Sequence, residues 1–380
     1  MKSLQKVAPS NKRFTLCVVT ALIVLSITVR SQTNSSLHPD ASRFLSGSLD
    51  SCMNTLADSG FSGVALVARG DSILLHRSYG RKGLPVDTSL AFYFSSNTEL
   101  FTAAAILLLQ EQGQLSVRDK ISRFIPDVPA DKQKITIYQL LTHTSGIGEN
   151  YIAEGIPDRD DMATTVLAHP LEKPVGKGYM HTSDGYSLLA AIIELASGWT
   201  YERIVQKYLL DPARMYSTGF WGTESEAPFG IAHPRDSIKT TQRYRKIFYN
   251  GKPFSNWGMR GGNGLFGTGR DLLRWLSTLK NKKIVTDTSR ALLWNPHVLM
   301  SKDPLADVYA GYGWNISTTN DGKFVEASHA GREDWIQNSI IRVFANGDVI
   351  ITWAYDFGPN SNPMSVAAAK ALAGILKHQP

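Results

Sequence analysis

Three short segments of the sequence carry side chains suited to hydrolytic chemistry. "FSSNTEL" contains Ser96 and, three residues later, Glu99; "GYMHTSDGY" contains His181 and Ser183; "SHAGRED" contains His329. A serine hydroxyl is a weak nucleophile until a neighbouring base takes its proton, and imidazole can serve as that base near neutral pH. We therefore examine Ser96 as a nucleophile whose partners come from the other two segments.

The spacing of Ser96 and Glu99 has two interpretations. Residues three apart share one face of a helix, so both side chains could enter one cleft beside the positive end of the helix dipole. The same S-x-x-E pattern is also a capping box, in which both side chains bond only to the helix's own backbone. Spacing alone favours the capping box, so the choice depends on the remaining segments.

The elements around these segments are distributed unevenly along the chain. Strand-like runs flank the turn dipeptides Gly70-Asp71 and Asn346-Gly347, which are typical of hairpins. Helical periodicity predominates in the middle of the chain. We therefore predict an α/β (α+β) fold, in which an antiparallel sheet built from both ends of the chain is flanked by helices and a mostly helical part is inserted.

The predicted boundaries follow from these patterns. A single domain is expected over residues 41–378, with the sheet part at about 41–90 and 300–378 and the helical part at about 91–299. Further helices are predicted at about 41–58 and 364–377, where apolar residues recur at helical spacing. In the second segment we assign Asp184 as the helix cap. His143 lies earlier in the chain, in "LLTHTSGIG", and is assigned to a turn that ends a helix.

The N-terminal residues resemble an export signal. Within residues 1–31 a basic stretch precedes a 16-residue apolar run, and small residues at a suitable spacing follow it. The run is short for a membrane span, so cleavage is favoured over an uncleaved anchor. We expect a periplasmic or secreted protein with a disordered leader at residues 32–40.

The net charge of the chain comes mostly from this signal. The whole chain has 40 Lys+Arg and 33 Asp+Glu, but residues 1–31 hold five basic and no acidic residues, which leaves 35 against 33. This balance gives no argument for nucleic-acid binding. Of two cysteines, Cys17 lies in the signal, so Cys52 would remain without an intrachain partner and the exported chain without a disulfide.

Longer blocks of the sequence resemble the serine β-lactamase-related family, which includes class C β-lactamases, D-alanyl-D-alanine carboxypeptidases and related esterases. The resemblance runs from about residue 45 to 375. It includes "FTAAAILLLQEQGQLSVRDKISRFIPDVP" with "ITIYQLLTHTSGI", then "PVGKGYMHTSDGYSLLAAIIELASG", "GGNGLFGTGRDLLRWLSTL", "GYGWN" and "SHAGRED". The resemblance implies a β-lactamase/transpeptidase-like fold with a cleft between sheet and helical part, in agreement with the predicted layout.

The residues at the family's catalytic positions match only in part. The family's first motif is Ser-x-x-Lys, and here Ser96 matches the serine but Glu99 replaces the lysine. The second motif is usually Tyr-x-Asn, and here it begins at His181 and ends at Ser183. His329 and Gly331 match the His-x-Gly form of the third motif. The lysine and tyrosine that activate the serine in the family are therefore both absent.

The two replacements together suggest an unusual catalytic site. If Glu99 and His181 converge on Ser96 as the family's lysine and tyrosine do, the groups present are those of a hydrolase triad. The hypothesis is that His181 is the general base, with a pKa near 6.5, and that Glu99 orients it. By the family's pattern, the backbone N–H groups of Ser96 and Arg332 would hold the oxyanion.

The substrate would lie between the second and third motifs. We expect Ser183, His329, Gly331 and Trp335 to contact it, with His329 near a substrate carboxylate or ester. The expected reaction is hydrolysis of small esters or D-amino-acid amides through an acyl-enzyme. β-Lactam hydrolysis is not expected, because the tyrosine implicated in class C chemistry is missing.

The alternative is a catalytically inactive family member. Loss of the lysine ordinarily removes activity in this family, and the cleft could still bind peptidoglycan-like peptides. A small-molecule or peptide ligand and a monomer are expected in either case. No cofactor or metal is predicted, because His181 and His329 have no ligand-type neighbours at local spacing in the sequence.

Overall fold

The structure is a computed structural model that describes residues 39–80, 86–220, 257–281, 283–302, 304–333, 337–355 and 363–377. The predicted signal and most of the predicted leader lie outside these residues. No helix in the described ranges has the length and hydropathy of a membrane span.

A large antiparallel sheet joins the two ends of the described chain. Its eight described strands follow the order β2-β1-β11-β10-β9-β8-β7-β6. The strands are β1 (Gly63–Arg69), β2 (Ser72–Tyr79), β6 (Val298–Ser301), β7 (Asp307–Ala310), β8 (Asn315–Thr318), β9 (Phe324–Glu333), β10 (Gln337–Phe344) and β11 (Asp348–Ala354). Pairing of β1 with β11 brings the N-terminal hairpin beside the C-terminal strands, which confirms the predicted sheet.

Both predicted hairpins are present. Gly70 has φ of +57° at the turn from β1 to β2, and Gly347 has φ of +87° between β10 and β11. Glycine adopts such positive φ values without the steric cost that a Cβ brings. The first turn joins the paired strands β1 and β2, and the second joins β10 to β11, while β10 also pairs with β9.

Helices lie on both faces of the sheet and fill the region between its two halves. They are α1 (Pro39–Asp58), α2 (Glu99–Glu111), α3 (Ile137–Leu141), α4 (Arg159–Ala168), α5 (Ser183–Ser197), α6 (Tyr201–Val205), α7 (Asp211–Ala213), α8 (Gly269–Lys280), α9 (Asp287–Trp294) and α10 (Met364–Lys377). A π-helical turn (Gln206–Leu210) lies between α6 and α7, and 3₁₀ turns span Ser95–Thr98, Ile121–Arg123 and Trp257–Met259. A small second sheet, which the sequence did not predict, has the order β3 (Phe92–Tyr93), β5 (Leu265–Gly267), β4 (Gly219–Phe220).

Strand β1 explains how one sheet supports two cores. Its alternate side chains point to opposite faces, as strand geometry requires. Val64 and Leu66 join the core that contains α2, α5 and α8, whereas Ala65 and Val67 join the core formed with α1 and α10. Burial on both faces accounts for the unbroken apolar run of β1 and fixes the sheet against the helical region.

Strand β9 approaches the start of α2 closely. A Cβ on Gly331 would lie 2.1 Å from the carbonyl oxygen of Phe94 and 2.8 Å from Asn97 Nδ2. Asn97 Nδ2 also donates to Ser339 Oγ of β10 at 2.8 Å. The glycine of the third motif therefore allows the sheet to contact the 3₁₀ turn that carries Ser96.

Candidate active site

Ser96 lies in the 3₁₀ turn Ser95–Thr98, which leads directly into α2. It retains 9% of its accessible surface, whereas Glu99 is fully buried. Side chains three residues apart eclipse one another in 3₁₀ geometry, so Ser96 and Glu99 lie on the same face. The carboxylate is therefore placed behind the hydroxyl.

The residue before Ser96 has an uncommon backbone conformation. Ser95 has φ of +48°, which is costly for a residue with a Cβ and is often found beside active sites. Its hydroxyl donates to the carbonyl oxygen of Arg332 at 2.8 Å, and it lies 3.4 Å from Asn263 Oδ1. These contacts hold the turn against β9 in the conformation that presents Ser96.

The same contact orients the backbone of Arg332. In an extended strand the N–H and C=O of one residue point toward the same side. Because Ser95 binds the Arg332 carbonyl, the Arg332 N–H also faces the 3₁₀ turn rather than β10. Pairing of β9 with β8 ends at Ser328, so among the described residues no strand pairs with β9 on this side beyond that point. This arrangement suits the predicted oxyanion role of Arg332.

Glu99 is the centre of a cluster of three histidines. Its Oε1 lies 3.3 Å from His181 Nε2, and its Oε2 lies 3.2 Å from His143 Nε2 and 3.8 Å from His329 Nε2. The rings of His143 and His181 stack with centroids 4.7 Å apart. Side chains from α2, from the turn after α3, from the segment before α5 and from β9 therefore meet at one carboxylate.

His181 makes one of the two contacts that a Ser-His-Glu triad needs. Its Nε2 faces Glu99 as predicted, but its Nδ1 faces Glu149 Oε2 at 3.4 Å, where the triad hypothesis placed Ser96. The imidazole thus lies between two carboxylates. The predicted catalytic roles of Ser96 and His181 stay predictions, and a direct proton transfer between them requires the ring to leave Glu149.

The charges of the cluster follow from burial and from these pairs. Burial disfavours the charge on Glu99, but the adjacent His181 and His143 outweigh it and lower the Glu99 pKa to about 2. Burial likewise disfavours charged His181, but Glu99 and Glu149 outweigh it and raise the His181 pKa to about 10. His181 is therefore a cation at neutral pH, which corrects the expectation of a neutral base with an ordinary pKa.

The other two histidines of the cluster are neutral at pH 7. Burial lowers the pKa of His143, and it lowers that of His329 to about 4. The backbone N–H of Thr182 donates to His143 Nδ1 at 3.2 Å. A nitrogen that accepts this bond carries no proton, so the proton of neutral His143 is on Nε2, facing Glu99.

The capping interpretation of the first motif is wrong. Thr98 occupies the cap position of α2, no side chain caps that helix, and the Glu99 carboxylate points into the histidine cluster. In the second motif, Thr182 rather than Asp184 caps α5, because its Oγ1 accepts the N–H of Gly185 at 3.2 Å. Thr182 has the extended backbone conformation that a cap requires.

The predicted substrate-contacting residues differ in their surroundings. Ser183 is fully buried, and its backbone N–H donates to Glu149. His329 is 6% exposed and lies behind Glu99, while Gly331 lies against Phe94. Trp335 lies outside the described residues. Substrate contact by these residues stays a prediction.

Two residues of the cluster were missed by the sequence reasoning. His143 lies in the turn after α3 with φ of +53°, and Glu149 follows in the next loop. His143 was assigned to a helix-ending turn, which is where it lies, but nothing in the local spacing predicted its contact with Glu99. Neither residue had a local sequence signal for this role, because their contacts with Glu99 and His181 join segments that are distant in the chain.

Comparison with known proteins identifies the family. The family model described as Beta-lactamase matches residues 49–373. The chain belongs to the β-lactamase family. The match covers Ser96, Glu99 and His181, and their correspondence to the family's serine, lysine and tyrosine stays a prediction.

Individual relatives and a solved structure are consistent with the family assignment. The chain is 27% identical over 341 residues to penicillin-binding protein 4* of Bacillus subtilis, covering 84% of this chain and 73% of that protein. It is 32% identical over 196 residues to PbpX of the same organism, which covers 50% of each, so the match spans half the length of that relative. The D-amino acid amidase from Ochrobactrum anthropi SV3 has the same fold, with a TM-score of 0.69 at 16% identity over 87% of this chain and 99% of that one.

Proposed function

We propose that this β-lactamase-family chain is a serine hydrolase that cleaves small esters or D-amino-acid amides through an acyl-enzyme on Ser96. The observation that carries the proposal is the position of Ser96. It follows the constrained Ser95, whose hydroxyl binds the backbone of β9, and it shares a helix face with a buried carboxylate that lies against an imidazole.

The proposed first step forms the acyl-enzyme. The Ser96 Oγ attacks the substrate carbonyl carbon, and the carbonyl oxygen becomes an oxyanion held by the N–H groups of Ser96 and Arg332. The hydroxyl proton passes to His181, which then protonates the leaving alcohol or amine as its bond to the carbonyl carbon breaks. In the second step water attacks the carbonyl carbon of the acyl-Ser96 ester and gives its proton to His181. His181 then protonates Ser96 Oγ as the ester bond breaks and the acid is released.

The proton balance of His181 sets a condition on this step. At neutral pH the charged ring carries a proton on each nitrogen, one facing Glu99 and the other Glu149, so the fraction of His181 that can accept the Ser96 proton is small. A base with a high pKa is strong when it is unprotonated. We therefore propose that hydrolysis increases with pH from neutrality toward 10, which differs from the neutral optimum expected of an unperturbed histidine.

The proposed substrate class follows from the cleft and from the comparisons. The open edge of β9 beyond Ser328 offers backbone groups to an extended acyl group, and Gly331 keeps that edge close to Ser96. The D-amino acid amidase of similar fold suggests amides of D-amino acids as one substrate group, and the esterases of the family that the sequence resembles suggest esters. Glu149 could receive the ammonium group of such an amide, since its side chain is partly exposed.

The alternative proposal is a non-catalytic binding protein for peptidoglycan-like peptides. It is favoured by one observation, namely that both ring nitrogens of His181 face carboxylates. We also propose that the protein is exported, on the basis of the N-terminal signal pattern alone.

A fluorophosphonate probe tests the hydrolase proposal. Labelling is measured at pH 7 and 9.5 for the wild type, Ser96→Ala, His181→Gln and the control Ser289→Ala, whose hydroxyl lies in α9. We expect an adduct on the wild type and the control that increases at pH 9.5, and none on Ser96→Ala. Absence of a Ser96-dependent adduct at both pH values rejects hydrolysis and favours the binding protein.

A further inference from the structure

We infer that Glu99, His143 and His181 form a binding site for one divalent transition-metal ion. The inference goes beyond the proposed hydrolysis and does not depend on it. One ligand atom from each of the three residues lies within 4.8 Å of the other two. Two imidazoles and a carboxylate are donors preferred by Zn²⁺ and by other ions of the first transition series, rather than by Mg²⁺ or Ca²⁺.

The distances fit an ion between the donors. Glu99 Oε2 lies 3.2 Å from His143 Nε2, and Glu99 Oε1 lies 3.3 Å from His181 Nε2. Ligands at about 2.0–2.1 Å from a tetrahedral Zn²⁺ are about 3.3 Å from one another. Each of the two imidazole nitrogens is therefore already at ligand spacing from a Glu99 oxygen, and one ligand atom from each of the three residues lies within 4.8 Å of the others.

The Glu99 carboxylate provides an independent indication. It is fully buried, yet within the described residues no donor is aligned in hydrogen-bond geometry with either oxygen, even though the imidazoles are close. In the described part of the metal-free protein, the charge of Glu99 is balanced only by the adjacent imidazoles, which are themselves metal-ligand groups. An ion between Glu99 and the rings would satisfy both oxygens and both nitrogens together.

Glu149 supplies the outer contact that metal-bound histidines usually have. Its Oε2 lies 3.4 Å from His181 Nδ1, so it can accept the Nδ1 proton and leave Nε2 to bind the metal. His329 Nε2, 3.8 Å from Glu99 Oε2, is the next nearest nitrogen and could approach a fourth position. Ser96, on the same helix face as Glu99, borders the ligand set.

One contact must change when metal binds. The N–H of Thr182 donates to His143 Nδ1, which leaves the proton on Nε2 in the metal-free protein. Ligation through Nε2 requires the proton to reside on Nδ1, so the contact with Thr182 must open. This gives the proposal a local signature, because the amide resonance of Thr182 should shift when metal is added.

The ligating and the hydrolytic forms of the site are distinct. In the metal-bound form His181 Nε2 is a ligand and Nδ1 keeps its proton toward Glu149, so neither nitrogen accepts the Ser96 proton. Metal binding and Ser96 labelling therefore report on separate proposals and are measured separately.

The test uses the full chain, freed of metal with a chelator and titrated with Zn²⁺ by calorimetry. The bound metal is counted by mass spectrometry, and Co²⁺ serves as an absorption probe of coordination. We expect one ion per chain, and affinity reduced at least about 100-fold in Glu99→Gln, His143→Gln and His181→Gln. The exposed His169→Gln and the nucleophile variant Ser96→Ala should bind as the wild type does.

Two results overturn the inference. One is a folded wild type that binds neither Zn²⁺ nor Co²⁺ stoichiometrically; the other is binding that persists at wild-type affinity in any of the three ligand variants. If those variants do not fold, X-ray absorption of the Zn²⁺-loaded wild type decides, because a shell without two imidazoles contradicts the assignment. Ser96→Ala should bind metal although it cannot be labelled by the fluorophosphonate probe. Metal binding and probe labelling can therefore fail independently, which distinguishes failure of the hydrolase proposal from failure of this one.

Discussion

Glu99 Oε1 lies 3.3 Å from His181 Nε2, which joins the family's first and second motifs through an ion pair. The resemblance predicts that Glu99 replaces a lysine of the family, and here the positive charge beside the carboxylate is on His181. Glu149 holds the other side of the same ring at 3.4 Å. Four predictions follow from this arrangement and from the elements that support it.

Replacement of Glu99 by glutamine should lower the pKa of His181. The wild-type value of about 10 depends on the charge of Glu99 more than on Glu149, so Glu99→Gln should bring the pKa toward the usual 6.5. Glu149→Gln should lower it by a smaller amount. Titration of the His181 ring resonance in metal-free protein measures both, and an unchanged midpoint in Glu99→Gln contradicts the proposed pairing.

The stability of the metal-free protein should decrease at alkaline pH because of His181. A group whose pKa is raised on folding contributes its full stabilisation below the unfolded pKa, near 6.5, and loses it as the pH rises through the folded pKa of about 10. The slope from this single proton is at most about 1.4 kcal/mol per pH unit.

Denaturant unfolding at pH 6.5 and 9.5 measures this effect, and His181→Gln is the comparison. The wild type should lose more free energy of unfolding over this interval than the variant does. Equal losses would show that His181 is not charged in the folded protein.

Replacement of Gly331 by alanine should weaken the contact between β9 and the turn that carries Ser96. The added Cβ would lie 2.1 Å from the Phe94 carbonyl oxygen, so the strand must move, at a cost of about 1–3 kcal/mol. The free energy of unfolding, measured by chemical denaturation, and the extent of probe labelling should both decrease. Gly374→Ala in α10 is the matched control, because nothing lies within 4 Å of its Cβ; it should leave labelling intact and increase stability by up to about 1 kcal/mol.

Replacement of Thr182 by alanine should affect the site as well as stability. Thr182 Oγ1 accepts the Gly185 N–H at 3.2 Å and donates to the Gly148 carbonyl at 2.9 Å, so it ties His181 to the loop that carries Glu149. We expect a loss of about 0.5–2 kcal/mol in the free energy of unfolding and a reduced His181 pKa.

Thr286→Ala provides the comparison for Thr182→Ala. Thr286 also caps a helix, α9, and also bonds a second segment, through Glu111. It should cost similar stability while the His181 titration stays at its wild-type midpoint. A matching pKa change in both variants would mean that Thr182 acts only through global stability.

Several elements could be predicted because they depend on local sequence. The hairpin at Gly70 requires positive φ, the double burial of β1 requires an apolar run, and the C-terminal helix shows helical spacing over its whole length. The S-x-x-E pattern at Ser96 was ambiguous for the same reason, since a local pattern favours a local partner. The capping box does not form, because the buried Glu99 side chain contacts imidazoles from distant segments instead of the backbone of its own helix.

The sequence by itself determined the family, the antiparallel sheet joined from both ends, and the departures at Glu99 and His181. Only the tertiary structure decided what these residues contact, because His143, Glu149 and His329 come from segments that are distant in the chain. Charge and protonation depend on distance and burial rather than on residue order. For that reason a histidine that looks like an ordinary base in the sequence is a cation between two carboxylates in the folded protein.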